Sequence, residues 1–278
     1  MDGRNSHLKA FRNMRTNKHK TINGGQLVWW DVSADENFWA EHFSNQIEKQ
    51  HAHISNGSIP AYLSKAMRHL PKHARILESG CGTGWLVAAL IAQSFQAEGI
   101  DFSPSLVSMV QKRFPKLPIR IGDALAIDCP DNYYDGYLSF GVIEHRQLGC
   151  EPFVQEAYRV LRPGGKACIA VPYFNALRRL KAGLGLYASS PPPNAHFYQY
   201  AFTKRYFRGI LEQHGFKLIT FFTYGTQWCI PEELAIFRKI MSMKCFRKYK
   251  QHIKRLDILD SFQLLSHMLA AVVQKPAV

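Results

Sequence analysis

The sequence has no Cys-x-x-Cys pair; its cysteines, at 81, 129, 150, 168, 229 and 245, are scattered. Neither a zinc site nor a disulfide framework is indicated, so no metal is expected and reduced thiols in a cytoplasm are. Cys129 and Cys168 lie in or beside apolar stretches and read as buried thiols. No run of about 18 apolar residues occurs, so no transmembrane segment is expected. The N-terminus lacks the apolar core of a secretion signal. Residues 1–25, basic as far as Lys20 and closing with Asn23-Gly-Gly25, read as a flexible tail in preference to an organelle transit peptide. Internal repeats and low-complexity segments are absent. Acidic side chains are in deficit, 21 Asp and Glu against 35 Lys and Arg, which leaves a net charge of +14. That excess has two readings: a well-solvated surface, or attraction to nucleic acid, an anionic membrane face or acidic small molecules.

What is present is a globular composition, 278 residues of which 46% are hydrophobic, enough for one large core. The chain is organised around Arg75-Ile-Leu-Glu-Ser-Gly-Cys-Gly-Thr-Gly-Trp85, a strand that turns through Gly80, Gly82 and Gly84 into a helix at Leu86–Ala92. Glycines let a ligand approach the backbone, and the free N–H groups of a helix start point into the same space. The dinucleotide spacing Gly-x-Gly-x-x-Gly is not met, because position 85 is Trp. Glu78, just before the turn, repels a pyrophosphate, so a cationic, phosphate-free ligand fits better. Strand patterns at Arg75–Glu78, Gln96–Asp101, Ile119–Ile121, Gly136–Phe140 and Lys166–Val171 alternate with helix patterns at Gly84–Gln93, Pro104–Arg113 and Pro152–Leu161. Such alternation implies an α/β fold with a parallel sheet covered on both faces and a ligand at the carboxyl ends of its strands. Asp101 follows the glycine turn by about twenty residues, the spacing at which a carboxylate reaches a ribose diol. Its alternative role, capping the next helix, is already filled by Ser103 beside Pro104.

Leu77-Glu-Ser-Gly-Cys-Gly-Thr-Gly84 resembles the first motif of the class I methyltransferases that use S-adenosylmethionine, with Ser79 standing where that family has an aliphatic residue. The resemblance extends by motif over about Arg75–Val171. It implies a Rossmann-like, doubly wound sheet of seven strands, mostly parallel, whose last strand is antiparallel at the edge. It also implies a cradle for S-adenosylmethionine: Glu78, Gly80, Cys81, Gly82 and Gly84 around the methionine end, Asp101 at the ribose, and Phe102 against the adenine. Asp123 and the N–H of Ala124 then meet the adenine edge, and carbonyls around Ser139, Phe140 and Gly141 receive the ammonium. Leu138-Ser-Phe-Gly-Val-Ile-Glu144-His145 resembles the fourth motif of the ubiquinone- and menaquinone-type enzymes. An imidazole can take a proton near neutral pH, so His145 with Glu144 is the catalytic candidate, the alternative being a pair that only orders its loop. Arg162-Pro-Gly-Gly-Lys166 resembles a structural turn of the same family.

Outside the motifs, a core of 61–224 and 267–275 carries three additions expected to be helical lids: 26–56, 172–202 and 225–266. Helices are expected near Ala61–His69 and Lys204–His214, the latter stopped by Gly215, with a sixth strand at Phe216–Thr223 and a seventh at His267–Gln274. Ser33 and Glu36 form a capping-box pattern for a helix carrying Phe38, Trp39 and Phe43. Trp29, Trp30 and Trp39 either close over a ligand or pack on the main domain. Tyr173, His196, Tyr198 and Tyr200 are candidates for an acceptor pocket. Arg238, Lys239, Lys244, Arg247, Lys248, Lys250, Lys254 and Arg255, interleaved with apolar residues, make 225–266 a basic lid for an anionic membrane face or a phosphate-bearing substrate, or a solvated surface. The expected activity is methyl transfer to an oxygen or carbon of a small-molecule acceptor. The alternatives are RNA methylation, suggested by the charge, and S-adenosylmethionine binding without turnover.

Overall fold

The computed structural model describes residues 19–31, 35–55, 59–234 and 263–277. Most of the basic tail, Ser33 and the basic residues of 235–262 lie outside the described residues. Along the chain run β1 (His19–Asn23), β2 (Gln26–Asp31), α1 (Glu36–Ser44), α2 (Ile47–Ser55), α3 (Ala61–Met67), β3 (Arg75–Ser79), α4 (Trp85–Ala92), β4 (Gln96–Asp101), α5 (Pro104–Arg113) and β5 (Ile119–Ile121). There follow β6 (Tyr134–Phe140), α6 (Glu151–Val160), β7 (Leu161–Pro172), α7 (Ala176–Gly183), β8 (His196–Ala201), α8 (Lys204–Gln213), β9 (Lys217–Tyr224), α9 (Thr226–Glu233) and β10 (Met268–Gln274). The described residues fall into two compact units: those within 34–171, 203–222 and 269–278, and those within 1–33, 172–202 and 223–268.

The larger unit is built on a seven-stranded sheet in the order β5-β4-β3-β6-β7-β10-β9. Ile76, Leu77, Ile100 and Leu138 are fully buried within it, the near-continuous apolar pattern of strands covered on both faces. β3 is parallel to β4 on one side (Leu77 opposite Glu98) and to β6 on the other (Leu77 opposite Tyr137). The winding therefore reverses at β3, and the carboxyl ends of β3 and β6 diverge to leave a crevice. Gly164 and Lys275 at one end, and Tyr173 and His267 at the other, pair β10 antiparallel to β7. The seven-stranded, mostly parallel expectation with an antiparallel last strand is borne out, but that strand is not at the edge: β10 lies between β7 and β9, and β9 forms the edge.

Local chemistry sets the boundaries. Ser103 caps α5 by accepting from Leu106 N–H at 3.4 Å, with Pro104 in the first turn. α1 starts two residues later than the Ser33 capping pattern indicates: Asp35 is its N-cap, with Oδ1 accepting from Phe38 N–H at 2.9 Å. Arg162–Gly165 is not a turn between helix and strand. The register jumps from Tyr134 opposite Leu161 to Gly136 opposite Lys166, so these residues bulge out of a longer β7. Gly164 takes φ 77°, which the bulge requires. Cys168 is buried in β7 as expected, whereas Cys129, in the loop before β6, is only half-buried.

The smaller unit departs most from expectation. Residues 19–25 are not tail: Asn23-Gly-Gly-Gln26 is a hairpin turn with Gly24 and Gly25 both at positive φ, joining β1 to β2. The added segments are not all helical either, because β8 pairs antiparallel with β2 to complete a three-stranded sheet. Its interior is charged. Arg178 on α7, 0% exposed, donates from Nε to Glu233 at 2.9 Å, from Nη2 to Glu232 at 2.9 Å and from Nη1 to the Tyr173 carbonyl at 2.7 Å. Its guanidinium lies 5.0 Å from the Trp29 ring centroid, and Trp29 Nε1 donates to Glu232 at 2.9 Å. Lys20 pairs with both glutamates, and Lys181 and Tyr187 hold Glu233 at 2.7 and 3.0 Å. Burial pushes the Glu233 carboxyl up, but Lys20 and Arg178 outweigh it and hold it down at about 2. Among the described residues no helix is long and apolar enough to cross a membrane. Arg178→Ala leaves two buried carboxylates short of a cationic partner, and urea unfolding should show a loss of about 3–5 kcal/mol; a loss below about 1 kcal/mol would show the network to be dispensable.

Candidate active site

The glycine turn after β3 is clamped onto the end of β4. Gly80 and Cys81 both donate their N–H groups to the Ile100 carbonyl at 2.9 Å. Asp101 completes the clamp: Oδ2 accepts from Gly82 N–H at 2.8 Å and Oδ1 from Ser103 N–H at 3.0 Å. Each oxygen keeps a second lone pair for an incoming hydroxyl. Burial pushes the Asp101 carboxyl up, and those two N–H groups oppose the shift. Gly80 sits at φ 76°, and a Cβ there would lie 2.3 Å from Val142 Cγ2, so only glycine fits between the turn and the loop after β6.

Helices α1 and α2 close on this turn. His51 Nε2 lies 2.8 Å from the Thr83 carbonyl, and Thr83 Oγ1 donates to Gln50 Oε1. On α1, Trp39 and Phe43 stack 5.8 Å apart, and Phe43 reaches the face of Gly82. The Trp39 ring meets His145 edge-on at 5.0 Å.

The result is a cleft of about 620 Å³ crossing the carboxyl ends of β5, β4, β3 and β6, within the range of small-molecule sites. Gly80, Gly82, Asp101, Phe102, Asp123, Ala124, Phe140, Gly141 and His145 line it, as expected from the sequence. Asp123 is held by Leu125 N–H, donating to Oδ1 at 2.8 Å. Beyond them Phe43, Val142, Arg146 and Phe153 form walls the sequence did not mark. Phe43 stands one helical turn after Trp39 and Arg146 directly follows His145, so both carried a positional signal; Phe153, on α6, carried none.

Other expected residues lie elsewhere. Gly84, at φ 69°, begins α4, and a Cβ on it would meet Leu117 Cδ2 at 2.6 Å, so it serves packing. Cys81 is buried behind the turn against Gly99. Glu78 is buried just before the turn, with Oε2 unpartnered; burial and then the charge of Asp101 push its carboxyl well up. Glu144 is also buried outside the lining, 3.9 Å from His145, with Oε2 unpartnered. Burial pushes it up to about 8 against the N–H groups of Glu144 and Val142, so near neutral pH it holds a proton and braces the loop. Tyr173, His196, Tyr198 and Tyr200 belong to the smaller unit, with His196, Tyr198 and Tyr200 on β8, and none is among the residues lining the cleft.

Residues 77–169 match the family described as "Methyltransferase domain". A Mycolicibacterium smegmatis protein named "Probable S-adenosylmethionine-dependent methyltransferase" is 35% identical over 97 residues, covering 35% of this chain and 37% of that protein. The 2-methyl-6-phytyl-1,4-hydroquinone methyltransferase of Arabidopsis thaliana is 33% identical over 108 residues, covering 36% and 30%. The chain thus spans about a third of the length of these curated relatives. The crystal structure of a SAM-dependent methyltransferase from Archaeoglobus fulgidus superposes with a TM-score of 0.53 over 86% of this chain and 99% of that one, at 17% identity. Over residues 77–169 this chain is thus similar to the methyltransferase-domain family, and its fold is that of a solved SAM-dependent methyltransferase. Just before the turn that lines the cleft, the buried, unpartnered Glu78 oxygen, with the glycines of the turn, suits a cationic ligand free of phosphate.

A carboxyl raised in the fold binds more protons there than in the unfolded chain, so its contribution to stability is present at acid pH and lost as pH rises. For Glu144 the window runs from about 4.5 to about 8. Glu144→Gln should flatten the fall in unfolding free energy across that window by a few kcal/mol; an unchanged pH dependence would mean that the raised carboxyl is not Glu144.

Proposed function

We propose that this chain binds S-adenosylmethionine in the cleft and transfers its methyl group to an oxygen or carbon of a small, largely apolar acceptor. The observation that carries the reading is the Asp101 clamp, a carboxylate that ties the glycine turn to β4 and still has lone pairs to offer. Bound there, S-adenosylmethionine supplies an electrophilic methyl and leaves as a neutral thioether.

The chain's own residues divide the remaining work. Asp101 accepts from the ribose hydroxyls, Asp123 and Ala124 meet the adenine edge, and Phe102 covers its face. Glu78 with Gly80 and Gly82 holds the methionine end, aided by carbonyls at Phe140 and Gly141. These groups come from the ends of β5, β4, β3 and β6, which leaves the apolar wall of the cleft for the acceptor. There Trp39, Phe43, Val142 and Phe153 offer apolar walls, and His145 stands among them. His145 takes the acceptor proton, while Glu144 positions the loop without touching substrate. Alignment and exclusion of water supply most of the rate in a two-substrate transfer of this kind. The Arabidopsis relative's hydroquinone fits such walls. A polyanionic RNA fits less well, because Arg146 is the only lysine or arginine among the lining residues.

Incubation with methyl-labelled S-adenosylmethionine and a panel of apolar phenols, hydroquinones and short RNAs tests this. Label should enter a small acceptor. His145→Ala should lower kcat by roughly 10²–10⁴-fold and remove the acid limb of the pH profile, as expected for a base. Label entering RNA alone, or a His145→Ala enzyme with an unchanged profile, would overturn it.

A further inference from the structure

α7 is built inside out. Surface helices bury leucines and expose charge. Here Arg178 is wholly buried in the carboxylate network while Leu180, two residues on, is 60% exposed. The helix ends in a closed glycine turn: Leu184 N–H donates to Leu180 O at 3.0 Å, Gly185 N–H to Ala182 O at 3.0 Å and Leu186 N–H to Lys181 O at 2.9 Å, with Gly185 at φ 65°. In this type of helix end an apolar pair ordinarily closes the turn. Yet Leu184 and Leu186 remain 64% and 62% exposed. The tip is open, since nothing lies within 4 Å of a Cβ placed on Gly183 or Gly185. It is also held firmly. Lys181 Nζ reaches the Glu233 carbonyl at 3.0 Å and its carboxylate at 2.7 Å, Tyr187 holds the same carboxylate, and Ala188 N–H donates to Lys20 O at 3.1 Å. The buried charges brace a rigid helix end that presents three leucines and the exposed Arg179 outward.

We propose that this tip, Leu180, Leu184 and Leu186 with Arg179, docks onto an anionic lipid bilayer. Three leucines are too few for a stable protein interface, which takes about 20–30 residues a side. They are enough for shallow insertion at the headgroup boundary, where apolar area and attraction of cations to anionic lipid add. The charge is complementary: the chain carries +14, and the sequence between Leu234 and Gln263 holds eight Lys and Arg against two Asp. The glycines on either side of Leu184 keep the tip narrow. The proposal concerns the smaller unit only and holds whichever acceptor the cleft takes.

Flotation of the full chain with vesicles of phosphatidylcholine alone, and of phosphatidylcholine with phosphatidylglycerol as minority lipid, tests it. The protein should float with the anionic vesicles and not with the zwitterionic ones, and less so as salt rises. The combined variant Leu180→Ser, Leu184→Ser and Leu186→Ser should partition at least roughly tenfold less, and Arg179→Glu should also bind less. All three leucines are exposed, so the unfolding midpoint should not move; if it does, Leu184→Ser with Arg179→Glu reads the same loss. Flotation of the leucine variants equal to wild type would assign binding to the basic sequence instead and overturn the proposal. So would absence of flotation, or a wild-type dimer that the leucine variant converts to monomer, which would make the tip a contact between copies.

Discussion

The fold and its candidate site both depend on one carboxylate. Asp101 ends β4, accepts from Gly82 on the turn after β3 and from Ser103 at the start of α5, and so ties a loop and a helix to one strand end. The Ile100 carbonyl beside it takes two more N–H groups from the same turn. Burying that carboxylate is costly, and its two N–H partners offset the cost only in part, as the upward push on its protonation shows. In the proposed function a hydroxyl pair from the ligand adds hydrogen bonds to the carboxylate's remaining lone pairs. The order of the glycine turn and the proposed cofactor affinity thus rest on the same carboxylate.

Most of the sheet could be read from the chain because its strands are local patterns ending in chemical landmarks. Gln96–Asp101 and Ile119–Ile121 fall where the alternation places them. Asp101 and Asp123 line the cleft because motif spacing in a parallel sheet maps directly onto strand ends. The smaller unit was not legible in this way. β1, β2 and β8 are brought together across more than 160 residues, and no local pattern announces such a pairing. The glycines at 24 and 25 read as the end of a tail, although they turn a hairpin, and 172–202 reads as a helical lid, although it holds β8. Tyr198 and Tyr200 were marked as acceptor residues for their chemistry, but their placement follows from the pairing of β8 with β2.

The two units solve burial in opposite ways. The larger one buries apolar strands, and burial pushes the Glu78 and Glu144 carboxyls up, while Arg159 holds Glu156 down. The smaller one buries ions in a closed network and leaves leucines outside. A buried network of this kind is weak support for stability but holds geometry well. That suits an element proposed to present a surface, whereas the unpartnered Glu78 oxygen suits the cationic ligand proposed for the cleft.

The central claim, that the Asp101 carboxylate holds an adenosyl ligand at its sugar, is tested most directly by calorimetric titration of S-adenosylhomocysteine into the wild-type chain and Asp101→Ala. The account predicts one site per wild-type chain and an affinity at least roughly tenfold lower in the variant, the loss of a hydrogen-bonded charged partner. Equal affinity in the two, or no binding heat in the wild type, would contradict it.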